Sequence, residues 1–258
     1  MADSVQNGLV QAAQVIQEAA VRQAPNGVHY GAFGDNTLDD KDLERMVQAV
    51  PVLIAGALSR KTYYFVPLAL SESRGSESTV VAPAYSAEIA DQAICHRNVV
   101  LGETDGVFIS TRLLGDRFAL AFEFFINVGH AFVDAVGVPE AFNQLVWAQA
   151  LADVRGETSQ DAWESRSLAL STNGKAEKID GKPIVDEKAK SSFLESAFSD
   201  AVAIYQLSLS VDFDYSELRE REYPLLAAQA LAERLRLVAK LFPPNSTYEF
   251  SIRYRRRA

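Results

Sequence analysis

Four polar residues recur along a segment that is otherwise almost entirely apolar. Glu123, Asn127, His130 and Asp134 are spaced by four, three and four residues, which places them on one face of a helix. Ionisable groups in a core are costly unless they are paired or bound. We therefore predict that these four residues, the polar stripe, bind a ligand or form a satisfied core network. The alternative is a helix edge that faces solvent or a partner chain.

His130 and Asp134 also have the i, i+4 spacing that lets two side chains share one metal ion. Glu123 lies roughly 10 Å further along the axis, too far to join the same ion. Glu157 and Asp161 repeat the i, i+4 spacing downstream. Together, His130, Asp134, Glu157 and Asp161 predict a site for a divalent metal such as zinc, iron or manganese. Glu123 or Glu157 is then the candidate catalytic base.

The segment Val128 to Phe132 resembles the second half of the zinc-binding helix of zincin metallopeptidases. Glu157-x-x-x-Asp161 resembles the downstream glutamate motif of the gluzincin branch, so the likeness covers roughly forty residues. This resemblance implies a zinc-dependent hydrolase. However, Ile126 replaces the first zinc-binding histidine and Asn127 the catalytic glutamate, so the chain would be a degenerate relative.

Cys95 is the one cysteine of the chain, and Glu88, Asp91 and His96 precede or follow it closely. If this stretch is helical, Glu88, Asp91 and Cys95 share a face and His96 points elsewhere. A nucleophilic thiol would then need a histidine from another part of the fold. The more common role of a free cysteine is that of a small buried hydrophobe.

The composition excludes several classes of function. The 258 residues carry a formal net charge of -9, which disfavours binding to nucleic acid. A single cysteine permits no internal disulfide and fits a reducing compartment. The first residues lack the pattern of a signal peptide, and charges interrupt the apolar run Phe118 to Val136. We therefore expect a soluble cytoplasmic protein that does not bind a membrane; a homo-oligomer is neither required nor excluded.

The segments that flank the polar stripe read as helices. Asp116 is the predicted N-cap and Gly137 the predicted C′ residue of a buried central helix over about 116–136. A helix capped by Thr158 or Ser159 follows. Alternation of apolar and polar residues predicts a C-terminal strand over 248–254.

These elements predict an α+β fold that is predominantly helical, with a buried central helix, further helices packed on it and a small, mostly antiparallel sheet. We expect a single domain over 1–258, with the polar loop 171–188 as its internal boundary.

Two functions are compatible with this sequence. The first is a non-enzymatic ligand-binding or protein-interaction module that is organised by the polar stripe. The alternative is a metal-assisted hydrolase in which His130 and Asp134 bind the metal and a nearby carboxylate completes the site.

Overall fold

Helices make up about 50% of the chain and strands 17% in the computed structural model, which confirms the predicted α+β, predominantly helical fold. The structure describes residues 8–35, 37–71, 78–102, 104–170, 178–179, 182–183, 185–218 and 222–253. Most of the polar loop 171–188 lies outside the described residues. Contacts group the chain into two compact units, residues 1–124 and 125–258. The single domain over 1–258 stays a prediction.

The helices of the described residues are α1 (Ala12–Glu18), α2 (Asp40–Gln48), α3 (Val52–Gly56), α4 (Ala87–Ala90), α5 (Arg117–Val136), α6 (Glu140–Leu151), α7 (Gln160–Ala169), α8 (Glu187–Ser210) and α9 (Ala228–Leu241). A 3-10 helix covers Tyr215–Leu218.

The strands are β1 (Val10–Gln11), β2 (Arg22–Gln23), β3 (His29–Ala32), β4 (Lys61–Val66), β5 (Leu68–Ser71), β6 (Thr79–Ala82), β7 (Ala93–Ile94), β8 (His96–Leu101), β9 (Thr104–Ser110), β10 (Lys178–Ile179) and β11 (Lys182–Pro183). The last two pair with each other.

The unit of residues 1–124 contains two sheets. One is antiparallel with strand order β1-β6-β5-β7. The other has the order β2-β3-β4-β9-β8 and is mixed, because β4 pairs in parallel with both β3 and β9. The mostly antiparallel pairing predicted from the sequence therefore holds for the first sheet, whereas the centre of the second is parallel.

Strand β4 is buried on both faces, as expected for a central parallel strand. On one face Tyr64 stacks on Phe108 of β9, with the ring centroids 5.0 Å apart. On the other face Tyr63 meets Phe124 of α5 edge-on, also at 5.0 Å. Alternate side chains of one strand thus hold α5 and the neighbouring strand in place.

Helix α8 forms the centre of the unit of residues 125–258. Its middle part, from Phe193 to Tyr205, is buried almost all round. Helix α5 crosses it closely at Gly129, where an added Cβ atom would lie 2.6 Å from the Ser199 carbonyl oxygen. Phe132 of α5 packs on Phe198 of α8, at a centroid distance of 6.2 Å.

The predicted central helix is confirmed as α5, and so are both of its ends. The Asp116 carboxylate accepts a hydrogen bond from the Ala119 amide at 2.7 Å. Gly137 has φ +71°, and its amide bonds to the Val133 carbonyl. The helix is long and apolar enough to cross a membrane, but 50% of that apolar window is buried inside the protein. This burial is consistent with a core helix of a soluble protein.

Two local predictions are wrong. No strand forms over 248–253 in the described part of the C-terminus. Its aromatic residues are explained by packing, since Phe250 meets the ring of Tyr205 edge-on. Cys95 is not helical either: it lies between β7 and β8, and the preceding helix ends at Ala90.

Candidate functional site

The polar stripe does not have one common environment. Asn127 is buried, with 6% of its surface exposed, and the Glu123 side chain is 18% exposed. His130 and Asp134 are exposed to solvent. The two residues that suggested a metal site are therefore at the surface, and the buried end of the stripe is the one that requires partners.

Glu123 finds its partner on β8. The His96 imidazole Nδ1 is hydrogen-bonded to the Glu123 carboxylate, and the His96 side chain is 40% exposed. The sequence analysis missed this pair because 27 residues and two different elements separate its members. Strand β8 pairs with β9 next to Cys95, which positions the imidazole on the side of α5.

Cys95 lies beside this pair and is exposed. Partial burial, and to a smaller extent the negative charge of Glu123, raise the pKa of the Cys95 thiol. A catalytic cysteine needs the opposite environment, because the thiolate is the nucleophile. Cys95 and Glu123 are thus neighbouring polar residues, but their environment does not activate the thiol as a nucleophile.

Glu157 is completely buried and lies between two buried arginines. Its Oε1 atom accepts a hydrogen bond from Arg166 Nη1 at 3.0 Å, and its Oε2 atom accepts one from Arg234 Nη1 at 2.8 Å. The side chains of Glu157 and Arg234 are 0% exposed and that of Arg166 is 2% exposed. A fully buried carboxylate with both oxygens held by guanidinium groups is typical of a structural ion pair.

Gly156 allows the chain to bring Glu157 into this position. Its φ of +81° lies in the left-handed region, and an added Cβ atom would be only 2.3 Å from the Leu225 carbonyl oxygen. The close approach lets the Glu157 amide bond to Pro224 and its carbonyl accept from Leu226. A parallel bridge between Glu157 and Leu225 is the result.

Further polar side chains complete the buried network. Arg234 Nε donates to Gln149 Oε1 at 2.8 Å, and Arg166 Nη1 also donates to the Val154 carbonyl. Asp200 on α8 accepts a hydrogen bond from Thr158 at 2.7 Å. Burial raises the pKa of Asp200 to about 6, although the hydrogen bonds that it accepts lower the pKa. At neutral pH the Asp200 carboxylate is therefore ionised and supplies a second negative charge to the network.

The remaining members of the predicted metal set are not brought together with Glu157. Asp161 is exposed on the first turn of α7, where Ser159 caps the helix as predicted. Over the ranges that the structure describes, no group of three or more histidine, cysteine or acidic side chains is close enough to hold one ion. The metal site from sequence therefore gains no geometric support here.

An open groove of about 360 Å³ lies between α6 and α8, both in the unit of residues 125–258. Each helix contributes four residues at positions i, i+3, i+4 and i+7, the spacing of one helix face. They are Glu140, Asn143, Gln144 and Trp147 from α6, and Glu187, Lys190, Ser191 and Leu194 from α8.

Side chains in the groove contact one another across the two helices. The Lys190 ammonium lies 4.9 Å from the centroid of the Trp147 ring and 3.1 Å from a carboxylate oxygen of Glu187. Asn143 Oδ1 is buried, and none of the described residues donates a hydrogen bond to it.

No protein-family model matches this sequence, and no curated protein is significantly similar to it.

Proposed function

We propose that this protein is a non-enzymatic, cytoplasmic binding module and that the groove between α6 and α8 is its ligand site. The observation that carries the proposal is the groove itself. It combines an aromatic ring with charged side chains of both signs. Six of its eight lining residues are polar or charged, so the ligand should be a polar molecule that is held mainly by hydrogen bonds and charge.

The volume of the groove fits a small molecule. About 360 Å³ falls at the lower end of the range of small-molecule sites, roughly 300–1,000 Å³. A stable protein partner would need a much larger buried area.

Two of the candidate catalytic residues have environments that do not suit catalysis. Glu157, a candidate base, is held by Arg166 and Arg234. The pKa of the Cys95 thiol is raised, which disfavours nucleophilic catalysis. The metal-assisted hydrolase built on His130 and Asp134 stays a prediction, and no observation favours it over the binding module.

The proposed location rests on two features. The chain has one cysteine and cannot form an internal disulfide, which fits the reducing conditions of the cytoplasm. Half of the apolar window in α5 is buried in the protein, so this helix serves as part of a core.

NMR spectroscopy of the ¹⁵N-labelled protein tests the proposal. We would titrate it with a panel of cationic, neutral and anionic small molecules. At least one class should shift the amide signals of groove residues such as Trp147 and Ser191. The variant Ser191→Phe, which fills the groove, should lose the response, whereas Ser192→Phe, exposed on the next position, should keep it. If no compound shifts the groove signals, or if Ser191→Phe responds like the parent protein, the groove is not a binding site.

A further inference from the structure

We propose that the ligand of this groove carries a primary ammonium group on a short alkyl stem, and that the Lys190 ammonium occupies the place of the ligand in the free protein. This inference rests on the proposed binding function of the groove. It adds the chemical class of the ligand. It also adds that, in the free protein, the Lys190 side chain occupies the ligand position.

The Trp147 ring supplies a surface for a cation. The face of an indole ring is electron-rich, and among aromatic side chains it attracts ammonium groups most strongly. In the structure this face is covered by Lys190, with Nζ 4.9 Å from the ring centroid. The contact shows that the groove accommodates an alkylammonium at this point.

The other polar groups of the groove are suited to a donor. Glu187 accepts from the Lys190 ammonium at 3.1 Å, and Glu140 contributes a second carboxylate. Lys190 is the one basic side chain among the eight residues that line the groove. When the Lys190 side chain moves out of the groove, the remaining lining residues carry two carboxylates and no positive charge.

Lys190 is free to leave. It lies three residues after Glu187 on α8, and its side chain is already 26% exposed. The ion pair with Glu187, whose side chain is 75% exposed, is of the weak surface type. A long, flexible lysine side chain can therefore move into solvent when an external ammonium replaces it.

The opposite assignment, in which Lys190 binds an anionic ligand, fits the groove less well. An anion at Lys190 Nζ would approach the Glu187 carboxylate, 3.1 Å from that nitrogen, and the electron-rich face of Trp147. Both would repel it. The negative charge of the groove lining thus favours a cationic ligand over an anionic one.

The test is an NMR titration with three probes of the same length: n-butylammonium, 1-butanol and butyrate. n-Butylammonium reproduces the end of a lysine side chain. It is added to the full-length protein and to the variants Lys190→Met and Lys188→Met. Lys188 is exposed and does not line the groove, so it controls for the loss of one positive charge.

We expect n-butylammonium to bind Lys190→Met about tenfold more tightly than the parent protein, because removal of the internal occupant makes the whole population competent to bind. Lys188→Met should bind like the parent. Glu187→Gln, added to Lys190→Met, should weaken binding of n-butylammonium, and butanol and butyrate should bind weakly throughout.

Other results overturn the inference in distinguishable ways. If butyrate binds the parent protein and Lys190→Met abolishes its binding, the groove binds anions, and the binding function stands without the ammonium assignment. If n-butylammonium binds Lys190→Met no better than Lys188→Met, Lys190 is not an occupant. If all three probes and the wider panel of compounds leave the groove signals unchanged, the proposed function fails together with the inference.

Discussion

Arg234 Nη1 donates a hydrogen bond to Glu157 Oε2 over 2.8 Å, and neither side chain is exposed to solvent. The two residues are 77 positions apart in the sequence. With Arg166 on the other carboxylate oxygen, this contact joins α9, α7 and the turn before α7. Charges buried in this way are tolerated only as a complete set, because the loss of one member leaves another uncompensated.

Glu157→Gln should therefore be strongly destabilising. It leaves two buried arginines without their carboxylate, and the expected loss is about 3–5 kcal/mol of unfolding free energy. Denaturation in urea, followed by tryptophan fluorescence, measures this loss. Both tryptophans of the chain, Trp147 and Trp163, belong to the unit of residues 125–258. Glu164→Gln, at an exposed position of α7, should change stability by less than about 0.5 kcal/mol. Equal losses in the two variants would contradict the network.

The effects of Glu157→Gln and Arg234→Met should not be additive. Each substitution alone leaves a buried polar group without its partner, whereas the double variant removes the pair together. The double variant should be more stable than the sum of the single losses predicts, by about 0.5–3 kcal/mol. The same denaturation experiment on the four proteins of the cycle measures this coupling. Simple additivity would mean that Glu157 and Arg234 do not interact in solution.

Asp200 should make the stability depend on pH. Its folded pKa of about 6 exceeds the unfolded value of about 3.9, because burial disfavours the charged form. The folded protein then holds this proton more tightly than the unfolded chain. The contribution of Asp200 to stability is fully present below about pH 4 and is lost as the pH rises through about 6.

The size of this effect is about 1.4 kcal/mol for each unit by which the folded pKa exceeds the unfolded one. Unfolding free energies measured between pH 4 and 7 for the parent and for Asp200→Asn check it. The difference between the two proteins isolates Asp200 from the other carboxylates. An unchanged difference over this range would show that Asp200 titrates alike in both states.

Gly129→Ala should destabilise the contact between α5 and α8. The added methyl group would lie 2.6 Å from the Ser199 carbonyl oxygen, and overpacking of this kind costs about 1–3 kcal/mol. Gly56→Ala is the matched control, because Gly56 ends a short helix and no atom lies within 4 Å of the added carbon. Thermal melts by circular dichroism should show a lower Tm for Gly129→Ala and no loss for Gly56→Ala. A Gly129→Ala protein as stable as the parent would rule out the close crossing.

Protein purified without chelator or affinity metal should contain far less than one equivalent of zinc, iron or manganese. The reason is that Glu157 is engaged by two arginines, while His130 and Asp134 are exposed. His130→Ala should accordingly leave the metal content unchanged. Elemental analysis decides the matter. Near-stoichiometric metal that His130→Ala removes would favour the hydrolase hypothesis instead.

The sequence predicted features that depend on neighbours along the chain. The ends of α5 at Asp116 and Gly137 are such features, because each residue bonds to a backbone group within one turn. The stripe on α5 was likewise correct in its helical spacing. Which members of the stripe are buried was not predictable. His130 is exposed and Asn127 is buried because of how α5 packs in the folded protein.

The candidate site depends on contacts between distant segments, and these left little trace in the sequence. Helices α6 and α8 face each other across the groove although α7 lies between them in the chain. His96 and Glu123 are 27 residues apart, and no periodicity relates them. Glu157 was a candidate from its i, i+4 spacing with Asp161, but its two arginine partners carried no signal in the sequence.

The close approach of Gly156 to Leu225 has a consequence for the evolution of this chain. Glycine is needed at 156 for its backbone conformation, and Glu157, Arg166 and Arg234 are each costly to replace alone. Distant relatives should therefore retain or exchange these four positions as a set. We therefore expect a glycine-glutamate pair with two buried arginine partners in any relative of the same architecture.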